Sequence, residues 1–288
     1  MRISALEAVT SADGVPLARA RWAAGSGNPT ILAVHATGFC KEVYLPVAVE
    51  LEALGADFEM ITMDQRGHGD SGTPDPPFDW WDLARDALSV VDGRTGIVGV
   101  GHSSGGAALI MAELLVPGTF AALLLVEPII FPHFPDATHA ASLAAAARKR
   151  RHTFASPEAA MTNWRGRGPF RYWDERALQA YARGGLRLED GAWVLKCAPE
   201  IEAQFYLSST THGAFARLGE VDASVHLLAG EHSDTHHPAL VDAIVGGIAG
   251  ATGEMVQGAG HFLPMERPDV VAAGLSSMID PGLGPAPR

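Results

Sequence analysis

Short apolar runs alternate with amphipathic stretches over most of this chain. Runs at 30–35, 57–63, 96–101, 119–126, 224–229 and 253–257 have the length of buried strands. Residues 42–54, 80–92, 238–247 and 268–279 read as helices between them, as does Gly106–Leu115. Residues 3–10 and 15–22 flank Asp13-Gly14 and read as a hairpin. Strands alternating with helices predict an α/β fold, with a mostly parallel central sheet and helices on both faces. The rhythm breaks over 130–212. That segment is helical in pattern and rich in Ala, Arg and aromatic residues, including Trp164, Trp173 and Trp193. The organisation expected is a core of residues 1–129 and 213–280, a helical cap insertion at 130–212, and a Pro/Gly-rich tail at 281–288 that frays. The basic run Arg148–Arg151 reads as the solvated face of a cap helix.

The chemistry concentrates at Gly101-His102-Ser103-Ser104-Gly105, between the 96–101 strand and the following helix. This fits G-x-S-x-G, in which a serine sits on a strained strand-to-helix turn. Glycines two before and two after Ser103 let strand and helix approach, which selects Ser103 over Ser104. A serine nucleophile needs a base and a group that orients the base. The segment after the 224–229 strand offers Glu231, His232, Ser233 and Asp234, and His261 lies in a loop after the last strand. Glu127, at the end of an earlier strand, is a further acid.

With the serine, an acid loop and a late histidine in that order, the chain resembles the α/β-hydrolase superfamily from residue 1 to about 280. Ile31–Phe39 looks like the family's strand and oxyanion loop, with Ala36 where glycine is usual. Asp64–Gly72 looks like its Asp-x-Arg-Gly-x-Gly-x-Ser loop, where Asp64 and Arg66 would brace the turn. The resemblance implies Ser103 as nucleophile, His261 as base and Asp234 as orienting acid, with Glu127 and Glu231 as alternatives. It implies an oxyanion hole from the backbone N–H groups of Thr37 and Ser104. His35, Phe39, His102, Glu127, Trp164 and Trp173 are candidate pocket residues. The activity implied is hydrolysis of an ester or related acyl bond of a small apolar substrate. A cofactor-independent dioxygenase, perhydrolase or C–C bond hydrolase, or a ligand-binding receptor, are the alternatives.

Composition narrows this further. The 288 residues are 47% hydrophobic, ample for a large core, and carry a net charge of −12. That charge disfavours nucleic acid and anionic membranes as partners. The expected partner is a small-molecule substrate, with a homodimer left open. Two cysteines, Cys40 and Cys197, make no disulfide framework, and Cys40 reads as a buried inert thiol. His212, His232, His236 and His237 lack metal-site spacing, so neither metal nor cofactor is expected. No apolar stretch reaches the ~18 residues of a membrane span, and the N-terminus lacks a leader-like apolar region. The expected location is cytoplasmic.

Overall fold

The apolar runs become the strands of one sheet. In the computed structural model, which describes residues 2–3, 6–132, 137–209 and 211–280, these are β1 (Glu7–Thr10), β2 (Pro16–Ala24), β3 (Thr30–Val34) and β4 (Phe58–Met63). They continue as β5 (Ile97–His102), β6 (Phe120–Val126), β7 (Ser224–Gly230) and β8 (Thr252–Val256). The order across the sheet is β1-β2-β4-β3-β5-β6-β7-β8, and a two-residue strand, Arg2–Ile3, also pairs with β2. The first two strands pair antiparallel, and every pairing from β4 to β8 is parallel. The tail at 281–288 lies outside the described residues.

Alternation along each strand feeds two cores. In β3, Ile31 and Ala33 face one core while Leu32 and Val34 face the other; in β6, Leu124 and Val126 oppose Leu123 and Leu125. Helices α1 (Leu45–Ala53) and α9 (Pro268–Ile279) cover the first face through Val47, Leu51, Val271 and Leu275. Helices α2 (Trp80–Val91), α3 (Ser104–Leu115) and α8 (Pro238–Gly246) cover the second through Leu83, Leu109 and Val241. Burial on both faces explains why β5 and β6 are continuously apolar rather than alternating. Among the described residues no helix is long and apolar enough to cross a membrane.

Between β6 and β7 the chain leaves the sheet for helices α4 (Ala137–Lys149), α5 (Pro157–Trp164), α6 (Glu175–Gly184) and α7 (Pro199–Ser208). The segment is not wholly helical as its composition suggested. Thr153–Phe154, Ala192–Leu195 and Leu186–Glu189 form a small antiparallel sheet. The turn joining the last two is Asp190-Gly191, with φ of 49° and 80°. Asp-Gly is the strongest local hairpin sequence, because both turn positions require positive φ. Trp164 stacks on Phe170 and packs within 5.2 Å of Phe154 and 4.9 Å of Tyr181, ring centre to ring centre. Aromatic packing of this kind joins the segment to the first core, in one buried cluster with Phe39, Tyr44 and Val47.

The basic run is likewise not a uniformly solvated face. Arg148 reaches Glu200 at the surface, but Arg150 turns inward to Glu202 Oε2 (2.6 Å) and the Tyr181 hydroxyl (3.0 Å). Tyr181 donates in turn to the Gly38 carbonyl (3.0 Å), so the inserted segment holds the loop after β3 directly.

The loop after β4 is fixed by buried charge. Asp64 accepts from the Lys41 backbone and ammonium, both at 2.7 Å, and from Asp70 N–H at 2.8 Å. Arg66 forms a two-pronged pair with Asp86, both bonds 2.7 Å, and extends to Asp13. Both partners of the Arg66–Asp86 pair are shielded from solvent. Arg66→Met would strand the Asp86 carboxylate, and should cost about 3–5 kcal/mol of unfolding free energy. Urea denaturation measures this; a loss below about 1 kcal/mol, the range of an exposed pair, would show that the pair does not hold the loop.

Candidate active site

β5 ends at His102 and α3 begins at Ser104, so Ser103 alone makes the turn. Its backbone sits at φ 55°, ψ −114°. A non-glycine residue held there costs of order 1–3 kcal/mol, and surrounding contacts must enforce it. Ser103 N–H donates to Val126 O (2.9 Å), and its carbonyl accepts from Ala107 and Ile129 N–H, both 3.1 Å. The flanking glycines are required by close approach. A Cβ on Gly101 would stand 2.6 Å from Gly105 O, and one on Gly105 would fall on the Val34 carbonyl.

Ser103 opens into a cavity of about 200 Å³ that also receives Thr37, Phe39, Trp80, His261 and Phe262. Ser104 is the first residue of α3, so its N–H has no partner within the helix. The Thr37 loop is braced from behind. Gln65 Nε2 donates both to His35 O (2.5 Å) and to Ser104 Oγ (3.1 Å), tying the β3 loop to the start of α3. Gly38 N–H donates to His68 Nε2 (2.9 Å).

The acid facing His261 is Glu127, not Asp234. The His261 Nδ1 contacts Glu127 Oε2 in a very short hydrogen bond. Glu127 lies just past the end of β6, at φ 46°, entirely buried. Its Oε1 accepts from Gly230 N–H (2.8 Å), and its Oε2 accepts from Ser233 Oγ (2.6 Å) and Thr235 Oγ1 (2.8 Å). His236 Nδ1 lies 3.5 Å away, on a ring whose Nε2 donates to Pro128 O. Burial alone would raise the Glu127 pKa. Hydrogen bonding from His236 and His261, together with the positive charge each ring carries once protonated, outweighs burial and holds the carboxyl well below the usual carboxylate range. The acid loop suggested by Gly-Glu-His-Ser-Asp is present, but it contributes hydroxyls to Glu127. Asp234 is exposed at the cavity wall, and Glu231 is exposed and accepts from Gly258 N–H (2.9 Å). Asp234 does not cap α8 either; His237 does.

Other expected pocket residues divide. Phe39 lines the cavity, and Trp164 lines an adjoining chamber. His35 and His102 do not line either, because both are buried in backbone hydrogen bonds. His35 Nδ1 donates to Ala36 O (2.7 Å), and His102 Nε2 donates to His261 O (2.8 Å). Burial lowers the His35 pKa to about 4 and the His102 pKa to about 3, so both rings stay neutral and serve as struts. Trp173 packs beneath the cavity wall, 5.2 Å from the Phe39 ring centre and 6.2 Å from that of Phe262. Glu127 is shielded behind His261 rather than open to the cavity. Cys40 is fully buried, which pushes its thiol pKa well above the ordinary value, as an inert thiol requires. Thr235, His236 and Gln65 carry no recognisable motif, and Ser233 is visible only as part of the acid loop.

A strand-to-helix elbow serine that shares a cavity with a histidine held by a buried carboxylate, on this sheet order, matches a known pattern. The chain belongs to the alpha/beta hydrolase family, whose sequence profile matches residues 31–274. It is 33% identical over 115 residues, 34% of its length, to a peroxisomal membrane protein of Saccharomyces cerevisiae. It is 31% identical over 114 residues, 35% of its length, to a type I acyl-CoA thioesterase of Penicillium brevicompactum. Those matches take in only 30% and 26% of the relatives' own lengths. Its fold is similar to that of E-2-(acetamidomethylene)succinate hydrolase, with a TM-score of 0.82, 22% identity, and 96% and 99% of the two chains covered.

A carboxyl whose pKa is lowered by folding adds stability above its unfolded value of 4.5, and that stability is lost as pH falls below it. The Glu127→Gln variant lacks this linkage. Its unfolding free energy should therefore fall less steeply than wild type between about pH 5 and pH 3 in urea titrations. Parallel slopes would mean that Glu127 is not ionised against these partners.

Proposed function

We propose that this protein is a serine hydrolase that cleaves an ester or related acyl bond of a small, largely apolar substrate. The observation that carries this reading is the strained Ser103 opening into the cavity shared with His261, whose Nδ1 is held by buried Glu127. Ser103 Oγ attacks the acyl carbonyl. His261, with Nδ1–H committed to Glu127, takes the serine proton at Nε2 and returns it to the leaving group. Glu127 fixes the tautomer and stabilises the imidazolium. The resulting acyl-enzyme is then cleaved by water in the reverse sequence. Backbone N–H groups of Ser104 and Thr37 receive the developing oxyanion, each such donor being worth about 3–4 kcal/mol in the transition state. The helices of 130–212 act as a cap, closing the cavity through His139, Leu143 and Tyr206. Thioesters fall within the same mechanism, and the partial similarity to an acyl-CoA thioesterase supports including them.

A fluorophosphonate probe should label Ser103 alone, and Ser103→Ala should abolish both labelling and turnover; labelling that survives the substitution would remove Ser103 as nucleophile.

The choice of acid is separable. Glu127→Gln should lower kcat toward a p-nitrophenyl ester by about 10⁴, the loss expected when the histidine takes the wrong tautomer. Asp234→Asn should change it by less than about tenfold. A crippled Asp234→Asn beside a mild Glu127→Gln would reverse the assignment.

A further inference from the structure

A second chamber, of about 520 Å³, adjoins the Ser103 cavity and shares five wall residues with it: Thr37, Phe39, Leu143, Tyr206 and Phe262. The two cavities therefore lie side by side against the same residues. α4 contributes Leu143, Ala146 and Ala147 from one helical face, and Arg150 follows just past its end, so apolar side chains lead to a cationic end. Three guanidinium groups line the chamber, those of Arg150, Arg151 and Arg167, against one carboxylate, Glu202. Arg150 already pairs with Glu202. Arg151 donates Nε–H to Thr153 O (3.0 Å) and lies over the Phe154 ring at 5.0 Å, which fixes its plane. Among the described residues, neither Arg151 nor Arg167 has a carboxylate within 4.0 Å. Two solvent-exposed guanidinium groups without a carboxylate partner thus stand on the wall of the outer chamber, in a protein whose net charge is −12.

Resting on the serine hydrolase reading, we propose that the substrate carries an anionic group, a carboxylate or a phosphate, which Arg151 and Arg167 hold in the outer chamber while its acyl carbon lies at Ser103. An apolar spacer joins the two ends. Guanidinium groups suit both anions because their planar N–H pairs match carboxylate and phosphate oxygens. The cap would then set substrate choice through charge as well as shape.

The test compares matched substrates on the full-length protein. One pair is p-nitrophenyl hexanoate against the p-nitrophenyl monoester of adipic acid. The other is a hexanoyl thioester of pantetheine against that of phosphopantetheine. At least one anionic member should exceed its neutral counterpart by about tenfold or more in kcat/KM, carried by KM and weakened by salt. A preference in the first pair points to a carboxylate on the acyl chain, and one in the second to a phosphate on the leaving group. The double variant Arg151→Gln/Arg167→Gln should erase the preference. Equal rates within both pairs in wild type, or a preference that survives the double substitution, would overturn the proposal. So would equal losses on charged and neutral members, which would mark the arginines as structural. Binding of adipate and of phosphopantetheine to Ser103→Ala, followed by tryptophan fluorescence, reads the anion site without turnover. If no ester is cleaved and no serine labelled, the hydrolase reading fails, while this titration still decides the anion site.

Discussion

The buried carboxylate of Glu127 is the constraint on which the rest of the site depends. A charge removed from water must be met by hydrogen bonds or by opposite charge, or it will not stay ionised. Here the partners are Gly230 N–H, the Ser233 and Thr235 hydroxyls, His261 and His236. They come from the end of β7 and the loops after β7 and β8, more than a hundred residues along the chain from Glu127. Satisfying one carboxylate therefore fixes the ends of three parallel strands relative to one another. His261 is positioned because it is one of the groups that this charge requires.

The serine is held by a different force. Its left-handed backbone is unfavourable in isolation, and it persists because β5 and α3 touch through glycines at 101 and 105. The Val126 carbonyl that accepts from Ser103 N–H immediately precedes Glu127 in the chain. The end of β6 thus serves both halves of the site: its backbone holds Ser103 and its next side chain holds His261.

The inserted helices are tied to this machinery at the Thr37 loop. Tyr181 donates to the Gly38 carbonyl, Arg150 donates to Tyr181, and Gly38 N–H reaches His68 in the core. A segment that shapes the cavity is thereby coupled to the loop after β3. Neutral histidines suit such links, because burial keeps the His35, His68 and His102 rings uncharged at ordinary pH.

Local pattern determined much of this protein. Most core strands and helices lie within a residue or two of where apolar periodicity puts them, because each must bury both faces of a strand or one face of a helix; α1 starts three residues late, after a 3-10 turn. Ser103 and His261 are legible for a related reason: the glycines that permit the elbow, and a histidine after the last strand, are written in consecutive residues. The Asp190-Gly191 hairpin was legible too, but the helical composition around it hid it. The partner of His261 was a different matter. Asp234 and Glu127 are both plausible in sequence, since each follows a strand at the same end of the sheet. Only packing decided between them. The parallel pairing of β6 with β7 brings Gly230, Ser233 and Thr235 onto Glu127 and leaves Asp234 in solvent. A carboxylate's suitability depends on which donors surround it in space, and those donors are scattered along the chain; a sequence motif records neighbours in order, not in distance.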